Sequence, residues 1–226
     1  MIRDLLRGFG AFSLALVPLV SSTPAPAAQA PRAAVVTARA DAVGLVKAVD
    51  ENRAGCTRPA FRHRTPGAPP SGGCGTRNEV LPAEAVEAPA VGAGCKLAGG
   101  RWVSYHDGQE VTGSGALEVI HTVPLAEAWG SGASAWAAAR REAYANGQDA
   151  AATPAAVAAR VNRQKAGKDP AGWLPPVSEA PRRYVGEWVT TKLRRQLTAG
   201  GPETEALKVL AEGPCEDTAV RYGPAS

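Results

Sequence analysis

The stretch LEVIHTVPLAEAW, Leu117–Trp129, is the one from which the fold is best read. Its first half, Leu117–Val123, is an apolar run that predicts a β-strand. Pro124 ends that strand, because proline has no N–H to give a ladder. Leu125–Trp129 reads as one helical turn. A carboxylate, Glu118, and an imidazole, His121, both stand in the strand. Strand side chains two apart share a face, so Glu118 points to the same side as Ile120, about 7 Å along. Further on, Ser134 offers an N-cap for a helix over 135–146, with Trp136, Ala139, Ala143 and Tyr144 on one stripe and Gly147 as the stop.

Upstream, CKLAGGRWVSYHDGQEV predicts two short strands, 102–105 and 110–112, around the turn dipeptide Asp107-Gly108. Ala42–Asn52 has helical spacing, and 53–73, rich in Pro, Gly and Arg, reads as a loop that Cys56 could pin. Downstream, Pro154–Lys165 is rich in alanine, and propensity alone makes it helix. DPAGWLPP is a loop or short helix closed by prolines, and 184–197 and 203–212 read as C-terminal helices. Short strands mixed with helices give an α+β class.

The chain has 226 residues, enough for one domain with flanking segments. Its net charge of +4 permits contact with a polyanion without demanding it. The N-terminus reads as an export signal over 1–27, with Arg3 and Arg7 before an apolar run, Phe9–Val20, and small residues after it. That run is shorter than the roughly 20 residues a membrane span needs, so no stable span remains after the signal is removed. An Ala/Pro-rich segment with a short helix and loop (28–69), the main domain (70–216) and a C-terminal tail (217–226) follow. Cys56, Cys74, Cys95 and Cys215 are an even count in an exported chain, which favours two disulfides with the pairing open. The chain has 3 His and no Cys-x-x-Cys, which argues against structural zinc.

The run HTVPLAEAWGSGASAW, followed by VNRQKAGKDPAGWLPP, resembles the secreted HNH endonuclease family and the C-terminal domain of GmrSD-type restriction endonucleases. CGTRNEVL, GRWVSYHDG and YVGEWVTTKLRRQL are similar to that family's flanks. The resemblance implies a ββα-metal (HNH/His-Me finger) core with additional helices, stapled by disulfides, that hydrolyses phosphodiester bonds of DNA without strong sequence preference. It implies one divalent metal ion, Mg²⁺ or Mn²⁺, held by Asn162 and Glu118. His121 falls on the general base, and Asn146 on a residue orienting the catalytic strand or loop. Arg163, Lys165 and Lys168 are expected to meet the nucleic acid, within a wider basic group that includes Arg140, Arg141, Lys192 and Arg195. The resemblance pairs Cys74 with Cys95 and leaves Cys56 and Cys215 as a second pair, a rearranged one, or free thiols. It also implies a secreted monomer.

Three departures stand out. The family pattern Asp-x-Asp-His reads Glu118-Val119-Ile120-His121 here, and isoleucine coordinates nothing. Pro154–Val157 stands where a Leu/Ile/Val-rich second strand is expected, which predicts a weakened hairpin. Arg182 occupies a position usually held by cysteine. These departures give the alternative expectation, a catalytically inactive binding module at the cell envelope.

Overall fold

The computed structural model describes residues 35–62, 74–147, 154–212 and 219–223. The expected export signal and Cys215 lie outside the described residues. Four antiparallel two-stranded ladders and seven helices make up the described chain. Strand β1 (Val35–Ala38) leads into α1 (Arg39–Leu45), and α2 (Thr76–Ala83) follows. Then come β2 (Ala90–Val91), β3 (Leu97–Ala98), β4 (Arg101–Val103), β5 (Glu110–Thr112) and β6 (Leu117–Ile120). Helices α3 (Leu125–Gly130) and α4 (Ala138–Asn146) precede β7 (Ala155–Ala158) and α5 (Ala159–Lys165). Helices α6 (Ala180–Arg195) and α7 (Gly201–Ala211) and strand β8 (Ala219–Tyr222) complete the order. This is an α+β architecture, stapled between Cys74 and Cys95.

Helix α6 organises the main core because its apolar residues recur at helical spacing. Tyr184, Val185, Trp188 and Val189 are all buried and pack with Val43 of α1, Leu207 of α7 and Val220 of β8. Both flanking segments share in this packing, since β1 pairs with β8, Val35 opposite Tyr222. A second cluster joins Leu81, Trp102, Leu117 and Ala156, and the indole of Trp102 donates to the carbonyl of Leu81 at 2.7 Å.

Several local expectations shift. The helical spacing of Ala42–Asn52 yields helix only as far as Leu45. Ser134 caps nothing: 133–135 is a 3₁₀ turn, and α4 starts at Ala138 without a side-chain cap. Pro154–Lys165 is not one helix but a strand running straight into a helix. Nor is the hairpin short of partners. Ile120 pairs with Ala155 and Leu117 with Ala158, and every β7 residue is buried. Pro154 precedes the ladder and so costs it no donor, while the small alanines let neighbouring elements close over β7.

His106 is an imidazole buried without a hydrogen bond. It is 0 % exposed, lies edge-on to Tyr105, Trp173 and Tyr184, and neither ring nitrogen has a partner among the described residues. Burial, with the nearby Lys165 and Arg183 charges, pushes its pKa down to about 3. The unfolded chain therefore takes up a proton near pH 6.5 that the folded chain refuses, and this group's contribution to stability is lost as pH falls from there toward 3. Burial moves Glu203 the other way, up to about 7, so a difference measurement is the clean test. His106→Phe is expected to raise stability at pH 7 by about 1–3 kcal/mol, by removing unsatisfied buried nitrogens, and to flatten the acid slope of urea stability. A less stable variant with an unchanged slope would show that the nitrogens are satisfied.

Candidate functional site

Strand β6 and helix α5 bring Glu118, His121 and Asn162 into one cleft of about 640 Å³. No loop separates β7 from α5, so the chain turns at once from Ala158 into Ala159. One helical turn of about 3.6 residues carries Asn162 back over β6. There its Nδ2 donates to Glu118 Oε2. The family-expected trio is thus assembled on an antiparallel hairpin followed by a helix.

His121 directly follows β6 and stacks on the ring of Tyr144, with 5.3 Å between centroids. Its Nε2 lies 3.2 Å from the Tyr144 carbonyl oxygen. A carbonyl only accepts, so Nε2 carries the hydrogen and Nδ1 keeps its lone pair. Burial brings the His121 pKa down to about 4; the carbonyl contacts at Tyr144 and Ala145 oppose this, while the Lys165 and Arg195 charges add to it. The ring is neutral at pH 7.

Lys165 differs from its expected role. It is 1 % exposed, its ammonium donates to the His121 carbonyl oxygen at 3.3 Å, and the rings of Tyr184 and Trp188 lie 6.0 and 5.9 Å from it. Burial lowers its pKa to about 7. It braces the backbone under His121 rather than facing solvent. Arg163 and Lys168 are exposed. Two further members of the expected basic group are also buried: Arg195, and Lys192, which is 0 % exposed. Asn146 is half-buried, its Nδ2 donating to the carbonyls of Arg62 at 2.7 Å and Glu142 at 2.9 Å, while its Oδ1 accepts from Thr76 at 3.2 Å. Its amide ties α4 to two neighbouring segments, and of these contacts Thr76 lines the cleft. Ile120 is 7 % exposed and supplies no ligand.

Glu118 and Asn162 together offer one carboxylate and one carboxamide oxygen, the hard donors that Mg²⁺ or Mn²⁺ prefers. A second oxygen group was not legible in the sequence, because its members are far apart: Glu51, Glu127 and Asp169 place ligand atoms within 4.8 Å of one another. Arg53 bonds both Glu51 and Glu127, and Lys192 bonds Glu127 at 2.7 Å, so this group already has its counter-charges.

One wall of the cleft was also missed. Cys56, Thr57, Arg58 and Phe61 line it, from the segment read as a loop outside the domain. That segment is held by Trp129, whose indole donates to the Ala54 carbonyl at 3.0 Å, and by Arg141, which donates to the Ala60 carbonyl at 3.0 Å. Cys74 and Cys95 are bonded, with Cα atoms 5.8 Å apart. Cys56 is half-buried and has no disulfide among the described residues.

No protein-family model and no solved structure matches the chain. An uncharacterized secreted protein of Arthroderma benhamiae is 31% identical to it over 191 residues, which cover 83% of this chain and 90% of that protein. Among the described residues, no helix is long and apolar enough to cross a membrane. Identity sustained over that much of both sequences means that the chain belongs to the family of this secreted protein and is itself secreted.

Proposed function

We propose that the chain is a secreted HNH-type endonuclease that hydrolyses DNA phosphodiester bonds with one divalent metal ion and no strong sequence preference. The observation that carries this reading is the meeting of Glu118, His121 and Asn162 in one cleft, on a hairpin that runs directly into a helix. Glu118 and Asn162 would hold the cation. When bound, it supplies charge neutralisation for the phosphate and for the leaving oxygen. His121 Nδ1 takes a proton from water as the water oxygen attacks phosphorus, and the bond from phosphorus to the 3′-oxygen breaks, its electron pair leaving on that oxygen, which takes a proton from solvent. Nε2 keeps its hydrogen and donates it to the Tyr144 carbonyl oxygen, which fixes the ring and supports the positive charge it acquires. A bound phosphodiester anion raises the basicity of an imidazole that burial has made a weak base.

A second reading rests on Ile120. With no carboxylate next to His121, the same cleft serves a binding module that holds nucleic acid without cutting it. One experiment addresses both: supercoiled plasmid is incubated with wild type or Ile120→Asp, in Mg²⁺, Mn²⁺ or EDTA. The nuclease reading expects metal-dependent nicking by wild type, raised at least about tenfold in the variant by the added ligand. Nicking by Ile120→Asp alone favours the binding module. Plasmid left intact by both proteins in either metal sinks the catalytic reading.

A further inference from the structure

Within CGTRNEVL, the structure gives Arg77 a position that the reading above does not use. The residue is half-buried in the first turn of α2 and lines the same cleft as His121, Glu118 and Asn162. Its Nη2 donates to the carbonyls of Ser114 at 2.7 Å and Leu117 at 3.4 Å. Those bonds dock the guanidinium at the start of β6 and use one of its three nitrogens. The residue makes no ion pair with any described carboxylate, whereas Arg53, Arg101, Arg160 and Arg183 each do. A half-buried cation without a counter-charge, in a cleft, is a place for an anion.

We infer that Arg77 binds a phosphate of the nucleic-acid backbone that flanks the one at His121; this rests on the nuclease reading of the cleft. Spacing favours the flanking position. Leu117, which anchors the guanidinium, precedes His121 by four strand residues, about 13 Å at the rise of a strand. One phosphate group does not span that distance, but phosphates more than one nucleotide apart on the same strand do. The guanidinium is also ordered before any ligand arrives. Cys74, three residues earlier, is bonded to Cys95, and the adjacent Thr76 is hydrogen-bonded to Asn146 at 3.2 Å. A side chain already fixed loses less entropy on binding, and the planar fork of arginine matches phosphate oxygens better than a lysine point charge.

The test is fluorescence anisotropy with a labelled oligothymidylate of about ten nucleotides, a length typical of single-strand sites, in EDTA over a range of NaCl concentrations. Wild type is expected to bind with a linear fall of log affinity against log salt. Arg77→Gln is expected to weaken binding about tenfold at low salt and to reduce the slope by about 0.7, the loss of one phosphate contact to a single strand. Arg77→Lys, which keeps the charge, should retain most of the slope. A wild-type slope in Arg77→Gln, whatever its melting temperature, overturns the inference: Arg77 would then only hold the Ser114 and Leu117 carbonyls, and the nuclease reading would stand. Absence of salt-dependent binding by wild type overturns both.

Discussion

Lys192→Met is expected to destabilise the fold by about 3–5 kcal/mol, the cost of breaking a buried ion pair from one side. The ammonium is 0 % exposed. It donates to Glu127 Oε1, to the hydroxyl of Ser131 and to the Thr198 carbonyl, each at 2.7 Å, and to Glu203 at 3.0 Å. Methionine keeps the length of the stem and removes only the charge. Burial alone would raise the Glu127 pKa, and the Lys192 ammonium is what brings it below the usual carboxylate range. Without that charge, Glu127 keeps Arg53 as its one cationic partner among the described residues, and Glu203 loses its ion pair there. In a chain of this size the loss corresponds to a fall in melting temperature of roughly 6–20 °C. Urea unfolding followed by tryptophan fluorescence measures it. The double variant Lys192→Met/Glu203→Gln should recover part of the loss, because one stranded carboxylate is then neutral. A single variant within about 1 kcal/mol of wild type would mean that the network contributes little.

The second large effect is chemical. His121→Ala is expected to lower kcat/KM for plasmid or oligonucleotide cleavage about 10²–10⁴-fold, the range contributed by a positioned general base. The tautomer of His121 gives this variant a signature. With Nε2 bonded to the Tyr144 carbonyl, Nδ1 is the nitrogen left to act as base, so added imidazole should restore part of the variant's activity. A pKa lowered to about 4 leaves the ring neutral down to that value, so wild-type kcat/KM should not fall between pH 7 and 5 on account of His121. Equal rates for wild type and His121→Ala would remove His121 from the chemistry.

The cleft trio was legible because its geometry is local. Glu118 and His121 belong to one strand, and Asn162 sits one turn into the helix after that strand's partner. Strand β5 was read with its observed bounds, since alternating residues and an Asp-Gly turn carry their own instructions. The strand Ala155–Ala158 was harder, because alanine favours helix and only its pairing with β6 overrides that preference. The burial of Lys165 and Lys192 was not legible at all. A lysine reads as surface charge until distant residues, such as Glu127 and Glu203 for Lys192 or the rings of Tyr184 and Trp188 for Lys165, close around it. The wall formed by Cys56, Thr57, Arg58 and Phe61 escaped for a similar reason, since its anchors Trp129 and Arg141 lie far along the chain.

The ladder between Val35–Ala38 and Ala219–Tyr222 sets a clock for folding. Its two halves are separated by nearly the whole described chain, so closing it carries a large loop entropy and comes late. During export the first strand emerges long before its partner exists outside the cell. Until then it presents bare backbone edges to its surroundings, and the hairpin and helix around His121, whose contacts are much closer in sequence, are free to form first.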